Sequence, residues 1–317
     1  MMVYLLFILG FAALIKGADL LVDGSSSIAK RYKVSNIVIG LTIVSFGTSA
    51  PELIVNLFAS GAGEADLAIG NVFGSNISNV LLILGVSALI YPLDIGKNTA
   101  WKEIPLSLLA AIVLGFLCND LLIDGFQTSA LTRIDGLVLL SFFVIFVYYT
   151  FGIAKINNKN QVKIKKLGLV KSIIFILLGL VGLGLGGKWI VDGAIAIALK
   201  FGLSQALIGL TVVAIGTSLP ELAASAMAAY KKNAELAIGN VVGSNIFNVL
   251  WILGLSSVVK TLPFDTINNI DLLMVVFSSL LLFIFIFIDK KNILQRWQGG
   301  FFLLTYCSYL IFLIIRG

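Results

Sequence analysis

Apolar residues run through this chain in ten long stretches separated by short polar ones: 2–22, 36–60, 67–91, 103–121, 134–154, 168–191, 204–230, 235–259, 271–288 and 298–315. A helix rises about 1.5 Å per residue, so about 20 residues cross the hydrocarbon core of a bilayer. The pattern predicts an all-α membrane protein with ten transmembrane helices. The first stretch lacks the basic segment of a secretory signal. Gly17 and Val22-Asp23-Gly24 also return as Gly186 and Val191-Asp192-Gly193 inside a later stretch, so it reads as a retained helix. Composition agrees: the chain is 59% hydrophobic and 12% charged, with a mean hydropathy of +1.06, whereas about a quarter of the residues of a soluble domain are charged.

The polar positions carry a second pattern. Sliding the sequence on itself by 169 positions aligns Ile39–Gly85 with Ile208–Gly254 without a gap, and 29 of the 47 positions are identical. The identities include Gly, Asn, Ser, Thr, Pro and Glu, which lipid-facing helices have no reason to share. The offset carries each copy across five spans, an odd number, so the second copy enters the membrane from the opposite side. The expectation is two inverted five-helix repeats, 1–154 and 168–317, with repeat cores 39–85 and 208–254. A short basic cytoplasmic linker, 155–167, joins them. In transporters of this plan the substrate site lies near the midplane, between repeats, on interrupted helices.

Charge then sets orientation. With Met1 outside, 16 of the 22 Lys and Arg residues fall in cytoplasmic connections, as the positive-inside rule requires. Both termini are therefore expected to be extracellular, in a multi-pass protein of the cell membrane. The net charge of +6 reads as topology and contact with anionic lipid rather than nucleic-acid binding, and nothing points to an obligatory protein partner or a cofactor. Cys118 and Cys307 both lie in apolar settings and suggest neither a disulfide framework nor a zinc site. The chain has no His, which excludes histidine relays, and a serine enzyme would lack a base. An enzyme is not expected.

Each copy carries the same acidic string, Gly47-Thr48-Ser49-Ala50-Pro51-Glu52-Leu53 and Gly216-Thr217-Ser218-Leu219-Pro220-Glu221-Leu222. A carboxylate at that depth costs several kcal/mol unless it is paired, protonated or coordinated to a cation. Proline removes a backbone donor and clashes with the carbonyl four residues earlier, which frees the oxygens of Gly47 and Gly216. Thr48, Ser49, Thr217 and Ser218 add hydroxyls, although such side chains commonly bond back to their own turn. The next helix of each copy opens with Gly70-Asn71-Val72-Phe73-Gly74-Ser75-Asn76-Ile77-Ser78-Asn79 and Gly239-Asn240-Val241-Val242-Gly243-Ser244-Asn245-Ile246-Phe247-Asn248. Ser75 with Asn79, and Ser244 with Asn248, share one helix face. Two carboxylates, several hydroxyls, amide oxygens and freed carbonyls suit a hard divalent cation such as calcium, and no thiolate or imidazole is on offer for a soft metal. Asp23 and Asp192 are expected at helix ends. Asp19 is expected to pair with Lys16, and Asp192 with Lys188.

These doubled strings resemble the α-repeats of the sodium/calcium exchanger family, within the calcium/cation antiporter superfamily. The resemblance implies that Glu52 and Glu221 are central ligands shared by calcium and sodium. It further implies that Thr48, Ser49, Thr217 and Ser218 contribute oxygens with the carbonyls of Ser45 and Ala214, that Ser75 and Ser244 serve flanking sodium sites, and that Asn79 and Asn248 complete the ring. Potassium-dependent members, and some microbial ones, place Asp where this chain has Asn248, so the resemblance argues against potassium co-transport and removes a third negative charge. Proton-coupled relatives typically carry Gly-Asn-Ala before their Pro-Glu, so Gly-Thr-Ser favours sodium. The large cytoplasmic insert of animal members is replaced by the short linker, as in a compact microbial form. The expected activity is calcium/sodium antiport, with the first and sixth spans moving against a rigid core. A calcium/proton antiporter using the same glutamates is the alternative.

Overall fold

The computed structural model of the chain describes residues 2–153, 167–200, 214–288 and 292–316. The linker 155–167, apart from Leu167, and the start of the seventh apolar stretch lie outside the described residues. Among those described, eight helices are long and apolar enough to span a bilayer: α1 (Met2–Tyr32), α4 (Ala65–Ile90), α5 (Thr99–Leu117), α6 (Arg133–Ile153), α7 (Leu169–Lys200), α10 (Ala234–Val259), α11 (Asn269–Ile288) and α12 (Arg296–Arg316). The helices α2 (Asn36–Thr48) and α3 (Ala50–Ala62), which meet at a bend of 48°, are together long and apolar enough to count as a ninth. Their counterparts at the 169-residue offset are α8 (Ala214–Thr217) and α9 (Leu219–Tyr230).

Two helices overrun their apolar stretches. α1 continues to Tyr32 and α7 to Lys200, so Asp23 and Asp192 lie inside helices rather than at their ends. The overrun of α1 is stabilised by polar partners. Lys231, just past α9, reaches Asp19 Oδ1 and Asp23 Oδ1, each at 2.6 Å, and Asn233 Nδ2 donates to Ser26 Oγ at 3.0 Å. Lys30 and Arg31 occupy the last turn of α1, where cations complement the helix dipole. The expected pairs Lys16–Asp19 and Lys188–Asp192 form at 2.7 and 3.1 Å.

α1 and α7 pack on each other backbone to backbone. A Cβ on Gly10 would come within 2.9 Å of the Gly186 carbonyl, and one on Gly17 within 2.9 Å of the Gly179 carbonyl. Gly10 and Gly17 are seven residues apart, as are Gly179 and Gly186, so each pair lies on one helix stripe. Small residues permit this approach, and van der Waals contact between the two backbones is what lipid cannot supply in their place.

The interior belongs to α4 and α10. In their most apolar windows 72% and 94% of residues are buried, against 22% in α6, so α6 faces the surroundings while α10 forms the centre. α2 crosses α10 closely: a Cβ on Gly40 would meet Gly239 Cα at 2.9 Å. Two small antiparallel ribbons tie the chain together, β1 (Leu93–Asp94) with β4 (Ile293–Leu294), and β2 (Ser129–Leu131) with β3 (Leu262–Phe264). Each ribbon takes one strand from each half of the sequence.

Candidate cation site

The helix break falls at Ser49 (φ −84°, ψ 6°) and, in the other half, at Ser218 (φ −84°, ψ 1°). Both serines leave helical geometry two residues before the prolines, so Pro51 and Pro220 occupy the first turn of the next half-helix, where a missing N–H costs nothing. Glu52 and Glu221 follow in the same first turns, facing the positive end of a helix dipole. Both are 1% exposed, and among the described residues neither pairs with a Lys or Arg.

Ser49 Oγ donates to Glu221 Oε1 at 2.9 Å and lies 2.9 Å from Ser244 Oγ, so the break in one half touches the carboxylate and the α10 serine of the other. Thr48 Oγ1 donates to Asn240 Oδ1 at 3.1 Å and makes a longer 3.4 Å bond back to the Ser45 carbonyl. Back-bonding therefore occurs at Thr48 but is not its shortest contact. The Ser45 carbonyl also accepts Ser49 N–H at 2.9 Å. Ala214, its counterpart, lies in α8, and Thr217, at the end of that helix, has a partner of its own.

The third-helix asparagines join the two halves. Asn79 Nδ2 donates to Asn245 Oδ1 at 2.9 Å, and Asn248 Nδ2 to Asn76 Oδ1 at 3.0 Å. α4 and α10 widen here into π-helical turns, Asn79–Leu84 and Phe247–Leu253, a local irregularity frequent at functional sites. Behind them, Asn71 Nδ2 donates to Asn56 Oδ1 at 2.6 Å, and Asn240 Nδ2 to Ser225 Oγ at 2.9 Å. Sequence reasoning assigned no role to Asn56, Asn71, Asn76, Ser225, Asn240 or Asn245. The signal for four of them was present, since Asn71, Asn76, Asn240 and Asn245 belong to the repeated strings.

Among the described residues, several buried polar atoms have no hydrogen-bond partner: Glu52 Oε2, Glu221 Oε2, Asn79 Oδ1, Asn248 Oδ1, Ser75 Oγ and Ser218 Oγ. Buried acceptors without donors are costly, and here they include matched pairs, a carboxylate oxygen and an amide oxygen from each half. Hard oxygens of this kind are ligands for a cation. The described residues hold no cluster of three or more His, Cys, Asp or Glu, so a cation would rely on two carboxylates and neutral oxygens.

Comparison with known proteins agrees with that chemistry. The sequence pattern of the sodium/calcium exchanger proteins matches residues 2–152 and 171–315. This chain belongs to the sodium/calcium exchanger family. It is similar to an uncharacterized membrane protein of Methanocaldococcus jannaschii, 39% identical over 305 residues that cover 95% of this chain and 94% of the relative. It is also similar to the sodium/calcium exchanger MaX1 of Methanosarcina acetivorans, 32% identical over 98% of each chain. Among solved structures it resembles the sodium-calcium exchanger NCX_Mj soaked with 2.5 mM Na+ and 0.1 mM Ca2+, with a TM-score of 0.85 and 36% identity over 98% of each chain. The exchanger described here is thus a multi-pass membrane protein of a transporter family.

Proposed function

We propose that this exchanger is a secondary antiporter that moves Ca2+ against Na+ by alternating access. Its one midplane site would be shared by both ions and built from Glu52, Glu221, Thr48, Ser49, Thr217, Ser218, Asn79, Asn248, Ser75, Ser244 and the carbonyls of Ser45 and Ala214. The observation that carries this reading is the matched set of orphaned carboxylate and amide oxygens from both halves. With both glutamates ionised, one calcium ion gives a nearly neutral site, whereas several sodium ions would leave positive charge. The two loads therefore exclude each other, which is the basis of exchange.

The chain is proposed to cross the membrane ten times as two inverted five-helix repeats, 1–154 and 168–317, with both termini outside a cell membrane. The ribbons support inversion. β1 and β2 sit at opposite ends of α5, and β1 pairs with β4 while β2 pairs with β3. β3 is the 169-residue counterpart of β1, so equivalent connections lie on opposite faces. α1 and α7, joined along their glycine stripes, are the proposed moving unit.

The test is calcium uptake into proteoliposomes under opposing sodium or proton gradients. Uptake should follow the sodium gradient, and Glu52→Gln and Glu221→Gln should each abolish it. Uptake that ignored sodium and followed pH would replace this reading with calcium/proton antiport, and intact uptake in either variant would refute the shared site.

A further inference from the structure

Where α4 crosses α10, Asn76 and Asn245 each reach the other's main chain through a long hydrogen bond. Asn76 Nδ2 donates to the Asn245 carbonyl at 3.4 Å, and Asn245 Nδ2 to the Asn76 carbonyl at 3.5 Å. Both side chains are anchored by their nitrogens, which fixes where their oxygens point. Asn245 Oδ1 accepts Asn79 Nδ2, and Asn76 Oδ1 accepts Asn248 Nδ2. All four residues are at most 3% exposed.

A carboxamide carries its donor and its acceptor on opposite branches. Once the nitrogens of Asn79 and Asn248 are committed, their oxygens must face the other way, and both of these oxygens meet no donor among the described residues. A flipped amide would instead present N–H groups to a cation, replacing an attractive dipole by a repulsive one. We propose that Asn76 and Asn245 are positioning residues, not ligands, which lock Asn248 and Asn79 with their oxygens turned into the site. The arrangement is crossed: Asn76, from the first half, orients the ligand of the second half, and Asn245 orients that of the first. The inference rests on the reading of Asn79 and Asn248 as cation ligands.

The substitution Asn248→Asp gives a test that a packing role cannot imitate. Both oxygens of a carboxylate are acceptors, so in that variant the side chain has no wrong orientation for Asn76 to prevent. Sodium-driven calcium uptake is measured in proteoliposomes for Asn76→Ala in the parent background and again in the Asn248→Asp background. In the first, the KM for calcium should rise about tenfold, the scale of one lost hydrogen bond, with the maximal rate little changed. In the second, Asn76→Ala should alter KM by less than about twofold. An equal rise in both backgrounds, or no rise in the first, overturns the proposal. The reciprocal pair, Asn245→Ala with and without Asn79→Asp, reads the same coupling and serves where Asn76→Ala fails to fold. Failure of the antiport reading is separate, because the parent protein itself would then take up no calcium on a sodium gradient.

Discussion

Replacing Gly17 by alanine adds one methyl group where two helix backbones touch. The new Cβ would lie 2.7 Å from Leu183 N and 2.9 Å from both the Gly179 carbonyl oxygen and the Gly182 carbonyl carbon. All three are main-chain atoms of α7, and none can rotate aside. Ordinary contact begins near 3.4 Å, so the seam must open by about 0.7 Å, and overpacking on this scale costs about 1–3 kcal/mol. Gly184 supplies the control, since it lies on α7 and a Cβ there would have nothing within 4 Å. At that position alanine should be neutral or stabilising, because its helix propensity exceeds that of glycine by up to about 1 kcal/mol. Thermal unfolding of the purified protein in detergent, followed by the loss of the monodisperse peak on size exclusion, compares the two. Gly17→Ala should melt below the parent and Gly184→Ala at or above it. If Gly17→Ala melted with the parent, the close α1–α7 seam would not be a determinant of stability.

Other substitutions probe other contacts. Ser49→Ala removes the hydroxyl that donates to Glu221 Oε1, and the KM for calcium should rise by about tenfold in the proteoliposome assay. Lys231→Met leaves Asp19 and Asp23 without their shared partner beside α9. Stability should fall by about 1 kcal/mol, and exchange should run faster because the bridge resists movement of α1. A rate equal to the parent's would show that α1 and the end of α9 stay together through the cycle. Tyr309→Phe removes a 2.7 Å bond to Asp271, which keeps its two bonds from Arg316. Thermal unfolding should register a loss of about 1 kcal/mol, with calcium KM unaltered.

The apolar stretches made the helices legible, and the doubled strings made Glu52, Glu221, Asn79 and Asn248 legible as candidates, because each is polar where lipid-facing sequence would be apolar. What stayed hidden depended on contacts between distant residues. The continuation of α1 past Val22 rests on Lys231 and Asn233, more than 200 positions away. The orienting roles of Asn76 and Asn245 could not be read from their spacing, since each acts on an asparagine of the opposite half. Glu103, buried and bonded to Tyr149, carried no repeat signal because its counterpart at the 169-residue offset is Leu272.

The two ribbons bear on how such a chain could arise. β1 and β2 belong to the same half but are held apart by α5, which at 19 residues spans nearly 30 Å. Neither strand can pair within its own half. A half standing alone would leave both edges bare, because each edge finds its partner in the other half of the chain. On the proposed inverted plan, a half-length chain would meet those partners only in a second molecule, and joining the two halves in one polypeptide makes that meeting a built-in neighbour.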